Sequence, residues 1–174
     1  MLKIYKVFFL LIFLINPLFV LANDNIAYID MQFIMNKSNV GNSIIKEMDK
    51  LNMNLKKDFL TLELDFKKRE KELIAKKNIM ESKEFNLLVS KLSTDIKNFN
   101  VSKKNKILNL NNKKIEYDLK LINSIKPILT NYSKSKNISL LFQKKNIILG
   151  SSELDITKDI LNIVNKDIKP FNYK

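Results

Sequence analysis

The chain has no cysteine, no histidine and no tryptophan, and only two glycines and three prolines among its 174 residues. Each absence removes a class of chemistry or architecture. Without Cys no disulfide can form even in an oxidising compartment, so stability must come from helix pairing, a small packed body or other subunits. Without His there is no Ser-His-Asp or Cys-His nucleophile and no histidine metal site. Gly41 and Gly150, the only glycines, cannot build a Walker A or dinucleotide loop, which argues against ATP use. Paired carboxylates are the remaining catalytic option. Glu70 with Glu72, and Glu116 with Asp118, are two apart on expected helices and face different ways. Asp155 and Asp159 stand at i and i+4, but Asp155 reads more simply as a helix-start residue. The sequence predicts no active site, no metal site and no cofactor.

The first 22 residues read as an export signal. Lys3 and Lys6 form a charged start, residues 7–15 are an unbroken apolar run, Asn16 and Pro17 break it, and Val20-Leu21-Ala22 offers the small-residue pattern of a signal-peptidase site. Cleavage is expected after Ala22. The alternative is an uncleaved membrane anchor, for which the run falls short of the roughly 20 apolar residues a spanning helix needs.

Charge is abundant and unevenly placed. The formal net charge is +13, and without the two leader lysines it is +11. Residues 42–96 hold 12 basic and 10 acidic side chains, whereas residues 97–136 hold 10 lysines against Glu116 and Asp118 alone. A basic helix can read nucleic acid phosphates, but an exported protein seldom meets them. Anionic lipid head groups or acidic unfolded clients are the better partners, beside the plain reading of a solvated lysine-rich surface.

Residues 42–136 carry the dominant pattern. Ile44, Met48, Leu51, Leu55, Phe59, Leu62, Phe66 and Leu73 recur at helical steps, and Phe85, Leu88, Leu92, Ile96, Phe99, Ile107, Leu110, Tyr117, Leu121, Ile128 and Tyr132 form a matching seam. The second seam is interrupted by the polar run at residues 100–106. Ile44, Leu55 and Phe66 are eleven apart, which favours a nearly straight pairing. The spacing predicts two long helices folded back at residues 77–82, with Ser82 as the N-cap of the second. Pro127 should kink or restart that helix, making it the arm's hinge.

The flanking segments predict a small β-rich body from residues 23–41 and 137–174. Asn25 to Met31 alternates on two apolar faces, as in a central strand. Residues 32–36 suggest a helical turn, and Ser38-Asn39-Val40-Gly41 a loop. Asn137 is the expected left-handed stop of the arm. Residues 138–142 and 147–149 should form a hairpin turning at Lys144-Lys145-Asn146 and closed by Gly150. A short helix over residues 158–165 follows, with Ile160, Leu161 and Val164 inward and Thr157 or Asp155 as cap.

Four stretches, taken in order and spacing, resemble the Skp/OmpH family of periplasmic chaperones. They are Ile26-Ala27-Tyr28-Ile29-Asp30-Met31-Gln32; Asn36, Ser38 and Gly41; Ser82-Lys83-Glu84-Phe85; and Leu154-Asp155-Ile156-Thr157. The family often has Gly-Tyr where this chain has Asn137-Ile138. The resemblance implies an α+β fold in which strands of three protomers form a small body. Three helical hairpins would hang from it like tentacles around a cavity, a jellyfish-like homotrimer. It also implies a holdase for unfolded outer-membrane proteins that works without ATP.

For such a protein the working surface is the apolar set outside the seam: Ile45, Met53, Leu60 and Leu64 on the first arm helix, and Leu87, Val89, Val101, Leu108, Ile115, Leu119 and Ile122 on the second. Met48 and Met53 suit varied client shapes. The competing reading is a broad seam that buries them all. Lys97, Lys103, Lys104, Lys106, Lys113 and Lys114 are the candidate basic surface for clients, anionic lipid or lipopolysaccharide; no nucleic acid is expected. Two other classes stay open: an envelope coiled-coil protein tethered by an uncleaved leader, and an exported basic protein binding lipopolysaccharide or nucleic acid.

Overall fold

The computed structural model describes residues 25–173. The expected leader and its cleavage point after Ala22 lie outside the described residues. The order is β1 (Asn25–Ile29), α1 (Met31–Lys37), α2 (Asn39–Lys76), α3 (Ser82–Ser135), β2 (Ile138–Gln143) and α4 (Thr157–Asp167), with 3-10 turns at Lys144–Asn146 and Ser152–Leu154. At 1.5 Å per residue the 38 residues of α2 extend about 57 Å and the 54 of α3 about 81 Å. Among the described residues no helix is long and apolar enough to cross a membrane.

The foot of the arm starts earlier than residue 42. Ser38-Asn39-Val40-Gly41 is not a loop: Ser38 is the N-cap of α2, its Oγ accepting from the Gly41 amide at 3.1 Å, so the helix begins at Asn39. One non-helical residue separates α2 from α1, whose own start is capped by Asp30 Oδ1 accepting from the Phe33 amide at 2.8 Å. At the far end, Glu81 rather than Ser82 is the N-cap. The Glu81 carbonyl already accepts from the Phe85 amide at 2.9 Å, so Ser82 is inside the helix, and no side chain caps it. α3 runs through Pro127 without restarting. The missing amide leaves the Asn123 carbonyl without its helical donor. Asn137 takes φ 53°, the left-handed stop its position calls for.

β1 and β2 pair in parallel, with Ala27 opposite Leu141, Tyr28 opposite Phe142 and Ile29 opposite Gln143. Parallel strands need a long crossover, and here the whole arm is that crossover. The feet of α2 and α3 are thereby brought together. On its other edge β1 meets Asp155: Tyr28 bridges to it, and the Ile156 amide donates to the Tyr28 carbonyl at 3.0 Å. Flanked on both edges, with Ala27, Tyr28 and Ile29 buried, β1 is central, in keeping with its two apolar faces.

This arrangement overturns the C-terminal hairpin. The chain leaves β2 on one side of β1 and must reach Asp155 on the other, so residues 144–154 cross over instead of returning along β2. Ile148 and Leu149 are left fully exposed.

α4 starts one residue before the expected span and runs two beyond it. Asp155 Oδ1 accepts from the Thr157 amide at 3.0 Å, and Thr157 Oγ1 accepts from the Asp30 amide at 2.8 Å. Neither Thr157 nor Asp155 is the cap: the N-cap is Ile156, with no side-chain cap bond, and the two expected residues instead brace the corner on either side of it and fasten it to the cap of α1. Ile34, Val40, Ile44, Leu121, Ile125, Ile160 and Val164 are almost wholly buried where the four helices meet. Each such side chain contributes about 1.5–3 kcal/mol on burial. The core thus sits at the foot of the arm and fixes the direction in which the rest projects.

Candidate binding surface of the arm

Above the foot, α2 and α3 are held by a thin seam. Phe99 of α3 stands edge-on to Phe59 and Phe66 of α2, with ring centres 6.0 and 5.4 Å apart. Two cations cover these rings, Lys103 at 5.4 Å from the centre of Phe59 and Arg69 at 5.8 Å from that of Phe66. Each is tied across the arm, Lys103 to Glu63 and Arg69 to Asp95, both at 2.7 Å.

Leu62 and Ile107, expected in the seam, are exposed. The Glu63–Lys103 pair shows why: the register puts Leu62 opposite the polar run 100–106, where it has no apolar partner, and Ile107 stands at the edge of that run. Met48 is buried in the core and is unavailable to a client.

Ile45, Met53, Leu60, Leu64, Leu87, Val89, Val101 and Leu108 are all exposed, from 36% for Ile45 to 69% for Met53 and Leu87. Ile115 and Leu119 are exposed as well, and Ile122 is half-buried. Val101, Leu108, Ile115 and Ile122 are seven apart, a spacing that drifts only about 20° per step, so they form one stripe. Counted at about 100° per residue from the seam, Ile45 and Leu60 turn in the same sense as this stripe, while Met53 and Leu64, each two residues from seam positions on either side, stand on the back of α2. In an antiparallel pair the same sense leads to the same side. Both helices therefore present apolar groups on one flank of the arm. Leu87 turns further round, and Val89 stays near the seam edge. Ile74 and Ile79, 65% and 85% exposed near the tip, extend the apolar surface and were not singled out by periodicity.

The six candidate lysines divide by environment. Lys103 is held by Glu63, Lys114 by Asp118 at 2.6 Å, and Lys113 is half-buried with its Nζ 6.0 Å from the Tyr117 ring centre. Lys97, Lys104 and Lys106 are exposed and have no ion-pair partner among the described residues. Lys97 and Lys104 precede Val101 and Leu108 by one helical turn, which puts ammonium groups beside the apolar stripe.

The two aspartates raised as a carboxylate pair are engaged elsewhere. Burial works against ionisation of Asp155, but hydrogen bonds from Lys144 and Thr157 outweigh it and hold the carboxyl below its usual range. The same pairing raises Lys144. Asp159 accepts from the Tyr132 hydroxyl at 2.5 Å, and burial together with that carboxylate pushes the phenol up to about 12.

The family model described as outer membrane protein (OmpH-like) matches residues 25–164. Among solved structures, the fold is similar to that of a protein from Caulobacter crescentus CB15 described as an OmpH-like outer membrane chaperone candidate. The TM-score is 0.81, with 11% sequence identity over 86% of this chain and 89% of that one. At that identity the likeness is one of fold. No curated protein sequence matches the chain.

Proposed function

Because the chain belongs to the OmpH-like family, we propose that it is an ATP-independent periplasmic holdase, keeping unfolded outer-membrane proteins soluble on their way to assembly. The observation that carries this reading is the apolar flank of the arm, left open along both helices by the seam's own packing. A contact surface of separate side chains on a long rod suits a partner with no fixed shape, since many weak contacts can form in any order. Ile45, Leu60, Val101 and Leu108 are its working residues, and Met53, Leu64, Leu87 and Val89 widen it.

In this reading three copies assemble through the body, so that their arms enclose a cavity. The exposed Leu140, Phe142, Ile148 and Leu149 supply apolar surface for that assembly. Lys97, Lys104 and Lys106 draw in acidic segments of the client and give anionic lipid or lipopolysaccharide a place to bind. The leader is removed after Ala22, and bending at Pro127 adjusts the cavity to the client. Release follows from competition by a better site, membrane insertion, and uses no nucleotide.

The test is the native mass of residues 23–174, alone and after an unfolded outer-membrane β-barrel protein is diluted into it from urea. A trimer that takes up the client and keeps it soluble without ATP is expected. A monomer or dimer that leaves the client to aggregate would put the envelope coiled-coil reading first.

A further inference from the structure

The C-terminal segment is fastened to α3 on both sides of Pro127. Toward the body, Asp159 of α4 accepts from the Tyr132 hydroxyl at 2.5 Å, five residues past the proline. Toward the tip, the tail that follows α4 lies along the same helix: the Phe171 ring sits 4.4 Å under the Lys120 ammonium, and Tyr173 stands edge-on to Tyr117 with ring centres 5.0 Å apart. Ile168 leaves α4 in an extended conformation, and Pro170 prevents the helix from continuing. Residues 165–173 lie beyond the span that the family model matches.

The side of the helix matters. Lys113, Lys120 and Pro127 are seven apart and so form one stripe. Lys120 and, through Tyr117, Lys113 mark where the tail runs. The tail and the proline ring therefore share a side of α3. A proline bends its helix away from the side its ring occupies, because the ring crowds the preceding turn. That bend opens the proline side of α3, where Phe171 meets Lys120. A segment fixed to α3 above the proline on that side, at Lys120, and below the proline at Tyr132 ties the two halves of the helix together and resists the bend.

We infer that residues 159–173 form a strap that braces the arm at Pro127 and limits how far the arm bends there. The upper anchor is the releasable one. Among the described residues the tail backbone makes no hydrogen bond past the Ile168 amide to the Val164 carbonyl, and the buried Tyr173 hydroxyl has no partner. An unmatched buried hydroxyl weakens the seat it occupies. The strap rests on the hinge role proposed for Pro127, and not on client binding.

The test is amide hydrogen exchange over residues 118–131 in the full-length exported protein. Phe171→Ser with Tyr173→Ser is expected to speed exchange there at least 10-fold, with residues 60–76 unchanged. Lys120→Ala, a milder change at an exposed residue, should speed it about 3-fold. In a Pro127→Ala background the same tail variants should have little effect, because a helix with its amide restored needs no brace. Equal acceleration in both backgrounds would reduce the tail to ordinary packing and overturn the strap. So would no acceleration in either, or loss of folding in the double tail variant without the Lys120→Ala effect. Pro127→Ala alone should slow exchange; if it does not, the hinge reading fails first and takes the strap with it.

Discussion

Arg69 on α2 places a guanidinium nitrogen 2.7 Å from the Asp95 carboxylate on α3, and six residues nearer the foot the polarity is reversed, with Glu63 of α2 holding Lys103 of α3 at the same distance. The alternation selects one antiparallel register. A slip of one helical turn would leave each of these charges without its partner, beside a seam whose aromatic contacts would also be lost.

The first prediction tests that register. These side chains are about one-third exposed, so each pair is worth no more than about 1 kcal/mol. Arg69→Asp turns attraction into repulsion against Asp95 and the neighbouring Asp65, and should lower stability by about 1 kcal/mol. Adding Asp95→Arg should recover most of it, less at high salt. Thermal unfolding of the two variants decides: no recovery means that the seam alone sets the register.

Leu60→Ser with Leu64→Ser separates surface from core. Both residues are more than half exposed, so the pair should shift stability by less than about 1 kcal/mol. Retention of an unfolded β-barrel client, read by light scattering after dilution from urea, should fall several-fold. A collapse of the fold would mean that the two leucines are covered by another copy or by the arm itself.

These residues also show what periodicity can and cannot reach. The seam's fully buried members, Ile44 and Leu121, follow from helical spacing because each meets an apolar partner. Leu62 has the same spacing and is exposed, because burial also needs the opposite helix in register, and the polar run at 100–106 belongs to that helix. The central position of β1 was legible from its two apolar faces. The hairpin was not, since three apolar residues after a turn read alike whether they return along a strand or cross over a neighbour. Only the pairing of Tyr28 with Asp155, 127 residues away, decides which. The strap was silent for a related reason: Phe171 and Tyr173 have no period to reveal, and their meaning lies in what they touch.

Acid should loosen the body at Asp155. Its carboxyl is held below the ordinary range by Lys144 and Thr157, so the unfolded chain takes up the proton more readily than the folded one. The contribution is therefore present above the unfolded value and is lost as pH falls through the folded value. Asp155→Ala also removes the acceptor for the Thr157 amide, a helix-start loss of about 1 kcal/mol. The variant should be less stable than the parent near neutral pH, and the gap should close in acid. A gap independent of pH would assign the effect to packing.

Gly41→Ala sets two effects of opposite sign against each other, and the geometry says which wins. In a helix interior the exchange is favourable by up to about 1 kcal/mol. Here, however, a Cβ would lie 1.8 Å from the Met35 carbonyl oxygen and 3.0 Å from Ser38 Oγ. Neither is the far end of a flexible chain: one is the backbone of α1 and the other caps α2. The methyl can enter only if α1 moves off α2, which pulls Ile34 from the core and opens the Ser38 cap. Overpacking of this kind costs about 1–3 kcal/mol or more, so the midpoint should fall by about 5 °C or more for a chain of this length. Gly150→Ala is the milder control, because its Cβ would meet only side chains, the Tyr28 ring at 3.1 Å and Ile147 Cγ2 at 3.5 Å, and no backbone atom closer than these. If Gly41→Ala were the milder of the two, the one-residue corner between α1 and α2 would not be what aims the arm, and the foot of α2 would have to be held by the Ile44 and Leu121 contacts alone.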